Sequence, residues 1–371
     1  MRTALVYDRV NKIGGAERVL GTLHKMYPAA PLFTAVYHEK NAPWAREWDV
    51  RPSFLNLFPL ARSTHELYPW LTPLAFESFD FEGFDMVINV TSAEAKGILT
   101  KPETVHLCYC LTPTQYLWVN PKLYEEAIPR ILRPLARPVF SYLRHWDKIA
   151  SQRPDEMIAI SKTVQRRIKK HYGRDTEVIY PPVDVERFKQ KETKDKGPPT
   201  NDHFLVVSRL VPYKRIDLVI DACNARKVPL IIVGTGLEMK KLKRRAGPTI
   251  QFVGKLTESE LVMYYQRCRA LIFPQEEDFG ISVVEAQAAG KPVIAFNKGG
   301  ATEIIRTGKT GIFFSRQKVA SLVNAMEEFE KSQFSARVCQ TNAKRFSKER
   351  FMRELRIKVE ELWQEHRRKS R

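Results

Sequence analysis

The chain has 371 residues, of which 43% are hydrophobic, so it is long enough for two domains with buried cores. It contains no run of 18 or more apolar residues, and no transmembrane helix is therefore expected. The formal net charge of +19 is large and indicates an anionic partner, such as a phosphorylated substrate, an acidic membrane surface or a nucleic acid.

Short apolar runs alternate with helical patterns through the first half of the chain. The N-terminal sequence has too short an apolar stretch for a signal peptide and predicts a first strand, so we expect a cytoplasmic protein. A turn at Gly14 and Gly15 precedes an amphipathic helix, and the aromatic segment 56–80 predicts short helices and loops. Strands are predicted at residues 4–7, 33–36, 86–90, 105–111, 157–160 and 176–180. The alternation predicts an α/β domain with a parallel sheet.

Much of the excess positive charge lies between residues 130 and 174. Asp147, Asp155 and Glu156 are the acidic residues in this stretch, and Ile131, Leu135 and other apolar residues are interleaved with its cations. A solvated helix surface is one interpretation, and peripheral attachment to an anionic membrane is the other. The cations are Arg130, Arg133, Arg137, Arg144, Lys148, Arg153, Lys162, Arg166, Arg167, Lys169, Lys170 and Arg174.

A second α/β set follows a polar, proline-containing stretch that we interpret as a linker at 189–202. The predicted domains are therefore 1–188 and 203–349, and a final helix at about 350–371 is expected to pack back on the first domain. Strands are predicted at 204–207, 229–233, 250–253, 270–273, 291–296 and 308–314, and helices at 216–225, 258–267, 281–289, 317–331 and from 349 to the end.

Polar side chains follow the strands of this second half, at the edge of the sheet where ligands bind in open parallel sheets. Arg209 and Lys214 offer two cations to one diphosphate group. Glu277 and Glu285 flank a helix start whose backbone N–H groups can bind an anion. The other members of this set are Gly234, Lys255, Gly280, Ile281 and Ser282.

The five cysteines are scattered and odd in number. Cys108 and Cys110 lack a second Cys or His pair that would complete a metal site, and no convincing Asp-x-Asp metal motif occurs. We expect reduced cysteines in the core, no metal site and no cofactor.

Three blocks of the second half resemble the donor domain of the retaining family-four glycosyltransferases, which have the GT-B architecture of two Rossmann-like domains. These blocks are SRLVPYKRID at 208–217, VGTG at 233–236 and EDFGISVVEAQAAGKPVIA at 277–295. The first half is similar through GGAERVL at 14–20, ISKTVQRRI at 160–168 and VIYPPVDVERF at 178–188. Within the family, the chain resembles the mannosyltransferase-like members that build bacterial surface polysaccharides.

The resemblance implies a role for each site residue. Arg209 and Lys214 would neutralise the donor diphosphate, Glu277 would contact hydroxyls of the transferred sugar, and Glu285 would hold the ribose. The amides at 280–282 would complete the cradle. The backbone at Val253 and Lys255 would meet the base, and Gly15 would face the diphosphate from the first domain. The implied reaction transfers mannose from GDP-mannose, with retention, to a glycan or lipid-linked acceptor.

One position departs from the family pattern. Related members carry His where this chain has Leu111, and Arg where it has Gln115. Three consequences are open: the acceptor or the sugar differs, or His106 compensates, or activity is reduced. For His106 itself we favour a hydrogen-bonded position in the core or at its edge.

Other classes of function stay open at this point. A sugar-nucleotide epimerase on the same fold and a degenerate protein that binds sugar nucleotides without turnover are both compatible with the motifs. A nucleic-acid-binding protein is disfavoured, because few aromatic residues accompany the cations of the basic stretch.

Overall fold

The computed structural model describes residues 1–12, 14–189 and 202–369. The chain forms two compact units, one of Met1–Pro182 with Phe351–Arg371 and one of Val183–Arg350. Residues 190–201 of the predicted linker lie outside the described residues. The expected α/β class, with one parallel sheet in each of two units, is confirmed.

The first unit has a parallel sheet with the strand order β3-β2-β1-β4-β5-β6-β7 in its described residues. Strands β1, β4 and β5 are buried along their whole length, which explains why their sequences are almost continuously apolar. Strand β3 was not predicted, because its sequence, VRP, is polar and ends in proline at the edge of the sheet. The strands are β1 (Thr3–Tyr7), β2 (Leu32–Thr34), β3 (Val50–Pro52), β4 (Met86–Thr91), β5 (Val105–Cys110), β6 (Glu156–Ala159) and β7 (Glu177–Val178).

The second unit has a parallel sheet with the order β10-β9-β8-β11-β12-β13. The boundaries predicted for β8 and β11 are the observed ones, since both are short buried apolar runs ended by polar residues or proline. The strands are β8 (Phe204–Val207), β9 (Leu230–Val233), β10 (Ile250–Gly254), β11 (Ala270–Phe273), β12 (Val293–Phe296) and β13 (Gly311–Phe314).

Helices cover both sheets, and their ends follow local capping rules. The Ser161 hydroxyl accepts a hydrogen bond from the Val164 amide at 3.1 Å, which caps the start of α5. Thr257 and Glu260 form a reciprocal capping box at the start of α8. The helices are α1 (Gly15–Met26), α2 (Thr72–Glu77), α3 (Pro121–Ala127), α4 (Arg133–Ala150), α5 (Lys162–Tyr172), α6 (Ile216–Arg226), α7 (Met239–Arg245), α8 (Glu258–Arg267), α9 (Ile281–Ala288), α10 (Ala301–Ile304), α11 (Val319–Lys331), α12 (Ala336–Ala343) and α13 (Lys348–Lys369).

The last helix, α13, returns to the first unit. The Phe351 ring contacts the Tyr109 ring edge-on, with 5.5 Å between centroids. The Lys358 ammonium donates to the Glu177 carboxylate at 3.0 Å. The C-terminal segment therefore completes the core of the domain in which the chain begins.

Candidate functional site

The candidate site lies at the carboxyl edge of the second sheet. Strands β10, β9, β8 and β11 are neighbours and parallel, so the residues that follow them emerge at the same edge. The Gly234 amide donates to the Gly254 carbonyl at 2.7 Å, which ties the ends of β9 and β10 together. The half-buried Val253 lies at the end of β10, and the exposed Lys255 follows that strand.

Lys214 and Glu277, which are 63 positions apart, form a direct ion pair at this edge. The Lys214 ammonium donates to Glu277 Oε1, and the Gln275 side-chain amide donates to the same oxygen at 2.9 Å. The Lys214 side chain is 11% exposed and that of Glu277 is 27% exposed, so the pair is accessible to a ligand. Both hydrogen bonds end on Oε1, and the second carboxylate oxygen can accept from a bound hydroxyl group.

The loop that carries Glu277 is held by backbone contacts. The Gly300 amide donates to the Glu277 carbonyl at 2.8 Å. A Cβ on Gly299 would lie 2.4 Å from that carbonyl oxygen, and one on Gly300 would lie 2.3 Å from Phe279 Cα. Larger residues at these two glycines would therefore displace the loop. The sequence did not single out these two glycines as a support for Glu277, because they follow β12 and come close to the loop only in the folded chain.

Helix α9 begins beside this loop without a side-chain cap. Gly280 is its N-cap residue, with a φ of 108°, a conformation that favours glycine. Its first turn contains no acidic residue, so no carboxylate of the helix neutralises the N–H groups there. Ile281 and Ser282, the first two helical residues, are half-buried. The helix start thus presents partly accessible N–H donors next to the Lys214–Glu277 pair.

Glu285 lies one turn further along α9 and is 3% exposed. The Tyr265 hydroxyl donates to Glu285 Oε2 at 2.9 Å, and Arg187 lies 3.6 Å from Oε1. Arg187 also pairs with Glu258 at 2.6 Å. Glu285 is therefore positioned by protein groups that the sequence did not single out, because they lie on other elements.

Arg209 and Gly234 have different surroundings. Arg209 is exposed, and its guanidinium donates to the Tyr213 hydroxyl at 2.9 Å. A Cβ on Gly234 would lie 1.9 Å from the Ser208 carbonyl oxygen, and one on Gly236 would lie 2.3 Å from that of Leu210. Both glycines are thus required for packing between two loops, whether or not a ligand is bound.

In the first unit, Gly15 is the first residue of α1. Leu111 follows β5, and its amide donates to the Thr91 carbonyl at 2.7 Å. His106 is fully buried near the start of β5, and its Nε2 is 2.7 Å from Asn89 Oδ1. His106 is therefore a core residue and does not take the place of a histidine at position 111.

A buried ion pair, which the sequence did not indicate, anchors the segment after Leu111. The Lys96 ammonium donates to Asp147 Oδ1 at 2.5 Å, and both side chains are 1% exposed. The Thr114 hydroxyl donates to the same oxygen at 2.7 Å, while Trp118 and Tyr172 donate to Oδ2 at 2.7 and 2.8 Å. The negative charge of Asp147 is thus fully compensated.

The structure divides the basic stretch 130–174 into exposed and structural parts. Ile131 is 84% exposed and Leu135 is 70% exposed, whereas Leu143 and Trp146 are buried in the core. Arg153 pairs with a glutamate at 2.6 Å, so it is part of the fold. None of the helices in the described part of the chain combines the length and hydropathy that crossing a bilayer requires.

All five cysteines are buried and free, as expected. Within the described residues, no group of three or more His, Cys, Asp or Glu side chains could hold a metal ion.

Comparisons with known proteins extend along almost the whole chain. Residues 13–187 match the family described as Glycosyltransferase Family 4, and residues 184–346 match the family described as Glycosyl transferases group 1. The chain is 30% identical to D-rhamnosyltransferase WbpZ of Pseudomonas aeruginosa over 53% of its length and 54% of the relative's. It is 25% identical to O-antigen chain mannosyltransferase C of Escherichia coli over 61% and 62% of the two lengths.

The chain spans about half the length of the curated relatives it matches. Similarity to solved structures covers more. The structure of Anabaena Alr3699/HepE in complex with UDP aligns over 97% of this chain and 100% of that one, with a TM-score of 0.70 and 20% identity. At that identity the likeness concerns the fold, and it agrees with two parallel-sheet domains.

Proposed function

We propose that this chain, which belongs to the GT-B glycosyltransferases of the family 4 and group 1 superfamily, transfers a hexose from a nucleotide-diphosphate sugar to a glycan or lipid-linked acceptor. The observation that carries the proposal is the Lys214–Glu277 pair beside the uncapped start of α9. A cation, a carboxylate and free N–H groups at one sheet edge suit a ligand that has both phosphate and hydroxyl groups.

Each group of the site has a part in this reaction. Lys214 and Arg209 balance the charge of the diphosphate, while the amides of Gly280, Ile281 and Ser282 bind its oxygens or those of the sugar. Glu277 accepts hydrogen bonds from sugar hydroxyl groups through the oxygen that Lys214 does not occupy. We assign the ribose to Glu285, the base to the backbone at 253–255, and a diphosphate contact to Gly15.

In the proposed step, the bond between the sugar C1 and the diphosphate oxygen breaks while a bond from C1 to the acceptor oxygen forms on the same face. The acceptor hydroxyl proton passes to the leaving diphosphate. The cations stabilise the charge that develops on the leaving group, which is the part that a divalent metal plays in other transferases. We therefore propose that transfer is metal-independent.

We propose mannose as the transferred sugar and GDP as its carrier, with support from the similarity to the E. coli mannosyltransferase. The test is a thermal-shift panel of GDP-mannose, UDP-glucose, UDP-galactose and the free nucleotides. A ligand that binds only the folded chain stabilises it, by about 2.7 kcal/mol when the ligand concentration is 100 times its Kd, and so raises the melting temperature. A panel in which no sugar nucleotide shifts the transition would overturn the proposal.

Leu111 supports a second candidate, a protein that binds sugar nucleotides without transferring the sugar. An epimerase on the same fold is separated from both by analysis of the products formed without acceptor. Conversion of the bound sugar to an epimer identifies the epimerase. Binding of the sugar nucleotide without sugar transfer to any acceptor tested identifies the degenerate protein.

We also propose that the chain attaches to anionic membranes through the start of α4 and the residues just before it. Ile131 and Leu135 are exposed there, next to Arg130 and Arg137, which combines apolar insertion with attraction to anionic lipid. Co-sedimentation with vesicles should rise with phosphatidylglycerol content. If the fraction of bound protein is the same on vesicles without anionic lipid and on vesicles with roughly 40% anionic lipid, attachment by this surface is refuted.

A further inference from the structure

Gln275 holds Glu277 from the interior of the second unit. It lies two positions after the end of β11 and is 2% exposed. Its side-chain amide donates to Glu277 Oε1 at 2.9 Å, whereas the Glu277 side chain is 27% exposed. A hydrogen bond from a buried donor directs Oε1 towards the interior, and the planar carboxylate then directs Oε2 the other way. Gln275 therefore helps to decide which oxygen of Glu277 a ligand meets.

Lys214 shares Oε1 with Gln275, but the two donors differ in charge. Both hydrogen bonds end on this oxygen. The Lys214 ammonium is a cation with three N–H donors, so a bound diphosphate competes with Glu277 for it. The Gln275 amide is neutral and buried, and a phosphate group does not compete for it. Gln275 can therefore keep Glu277 in place while Lys214 also binds the phosphate.

The other end of the Gln275 amide has no compensating contact. Gln275 Oε1 is buried and lacks a hydrogen-bond partner among the described residues. Turning the amide over would bring this oxygen against the Glu277 carboxylate, so the observed orientation is the favourable one. A buried acceptor without a partner lowers stability, and an apolar side chain of the same length would remove that cost. The glutamine thus gives Glu277 a donor and contributes little to the stability of the fold.

The segment that carries Gln275 is held by contacts that do not involve its side chain. On one side, the Gln317 side-chain amide donates to the Pro274 carbonyl at 2.8 Å. On the other side, the Gly300 amide donates to the Glu277 carbonyl at 2.8 Å. The backbone before and after Gln275 is therefore fixed independently, and the side-chain amide of Gln275 acts on the Glu277 carboxylate.

We propose that Gln275 is a positioning residue for sugar recognition. It holds Glu277 Oε1, so that Oε2 accepts hydrogen bonds from hydroxyl groups of the transferred sugar while Lys214 binds the diphosphate. The inference rests on the proposed function, and it assigns the orientation of Glu277 to a buried neutral side chain. Loss of the Gln275 donor should lower the affinity for the sugar part of the donor and leave the affinity for the nucleotide diphosphate unchanged.

The test compares the full chain with the variant Gln275→Met, which keeps the side-chain length and removes both the donor and the unpaired acceptor. Titration calorimetry gives the dissociation constants of GDP-mannose and GDP, and their ratio isolates the contribution of the sugar. We expect this ratio to rise about tenfold, the lower end of what a hydrogen bond to a charged group contributes. If the thermal-shift panel identifies UDP-glucose as the ligand, UDP-glucose and UDP are the probes.

Stability is the second readout for Gln275→Met. The variant loses one hydrogen bond to Glu277 and also loses a buried acceptor that has no partner. The urea midpoint should therefore equal or exceed that of the wild type. A lower midpoint together with an unchanged ratio of dissociation constants would assign Gln275 to the fold and overturn the inference.

Two other variants control for the loop and for misfolding. Gln317→Met is the matched control, because it removes an amide donor to the neighbouring Pro274 carbonyl and leaves the Glu277 side chain untouched. Its ratio of dissociation constants should stay that of the wild type. Gln275→Glu keeps the shape of the side chain but places a second carboxylate beside Glu277, so its ratio should rise at least as much as in Gln275→Met. This variant decides the question if Gln275→Met does not fold.

A double-variant cycle shows whether Gln275 acts through Glu277. Glu277→Ala leaves no carboxylate to orient, so the further change Gln275→Met should alter the affinity for GDP-mannose by less than about twofold. A further loss as large as in the wild-type background would overturn the positioning role.

The remaining outcomes separate this inference from the proposed function. Equal losses of GDP-mannose and GDP affinity in Gln275→Met would overturn the inference, as would an equal rise of the ratio in Gln317→Met. Either result leaves the proposed function intact, because the wild type still binds the sugar nucleotide. Failure of the wild type to bind any sugar nucleotide would contradict the proposed function and the inference together.

Discussion

Replacement of either member of the Lys214–Glu277 pair should separate the energetics of folding from those of turnover. Lys214→Met removes the cation and leaves the Glu277 carboxylate with the hydrogen bond from Gln275. Breaking a fully buried pair costs about 3–5 kcal/mol, but the Glu277 side chain is 27% exposed and water can solvate it. We therefore expect Lys214→Met to lower the free energy of unfolding by about 1–2 kcal/mol.

The effect on turnover should be larger than the effect on stability. Loss of one preorganised electrostatic donor to a developing anion lowers kcat by about 10²–10³-fold. Lys214→Met should also weaken binding of the donor diphosphate by about 1.5–3 kcal/mol, which is the contribution of one hydrogen bond to a charged group. Glu277→Gln should lower kcat comparably, because its amide can donate where the carboxylate accepts from the sugar.

The double variant Lys214→Met, Glu277→Gln gives the decisive comparison. It leaves no unpaired charge, so its stability should recover to within about 0.5–1 kcal/mol of the wild type, while its turnover stays at the level of the worse single variant. Urea denaturation measures the first quantity and release of nucleotide diphosphate measures the second. Lys241→Ala is the control, since Lys241 is an exposed cation of α7. If kcat/KM of both single variants stayed within threefold of that of Lys241→Ala, where threefold is roughly 0.6 kcal/mol, the assigned roles would be refuted.

Three other outcomes are expected. Gly234→Ala should destabilise the chain by about 2–4 kcal/mol, seen as a lower urea midpoint, because its Cβ would lie 1.9 Å from a carbonyl oxygen at a φ of 132°; an unchanged midpoint would show that the loop can move aside. Turnover should be unaffected by EDTA, since Arg209 and Lys214 balance the diphosphate charge, and loss of activity restored by Mg²⁺ or Mn²⁺ would contradict this. Burial lowers the pKa of His106 to about 3, so the unfolded chain binds a proton that the folded chain does not. Acidification from about pH 6.5 towards 3 should therefore lower the free energy of unfolding by up to about 1.4 kcal/mol per pH unit, and by less in His106→Asn. An equal pH dependence of the free energy of unfolding in the wild type and in His106→Asn would place the acid sensitivity in another group.

The fold was predictable where burial alone decides the sequence pattern. Central strands such as β8 and β11 are buried on both faces, so an apolar run bounded by polar residues or proline identifies them. Strand β3 was missed because an edge strand needs neither an apolar run nor a donor at its proline. Helix α12 was missed because its eight residues, ARVCQTNA, are too few and too evenly divided between apolar and polar side chains to show a helical pattern, and it is held by packing against α9.

The contacts within the candidate site depend on strand order, which the sequence pattern does not reveal. Lys214 follows β8 and Glu277 follows β11, and these strands are neighbours although β9 and β10 lie between them in sequence. The chain crosses from β8 to β9 and β10 on one side and then returns to β11 on the other, which brings residues 63 positions apart into contact. The same topology explains why the sequence could nominate both residues as separate ligand contacts but could not pair them.

The same reasoning applies to the first domain, where the family pattern drew attention to position 111. The polar groups that meet at that edge are Arg9, Glu94 and Tyr116, which follow three different strands and form no local motif. Leu111 and Tyr116 both lie on the segment that follows β5, so the apolar Leu111 is five residues from one of these three polar residues. A histidine would add a donor and an acceptor to that segment, whereas leucine adds hydrocarbon. If the first domain binds the acceptor, Leu111→His should alter acceptor preference and leave nucleotide-sugar affinity unchanged, and a loss of both would instead assign this position to the donor.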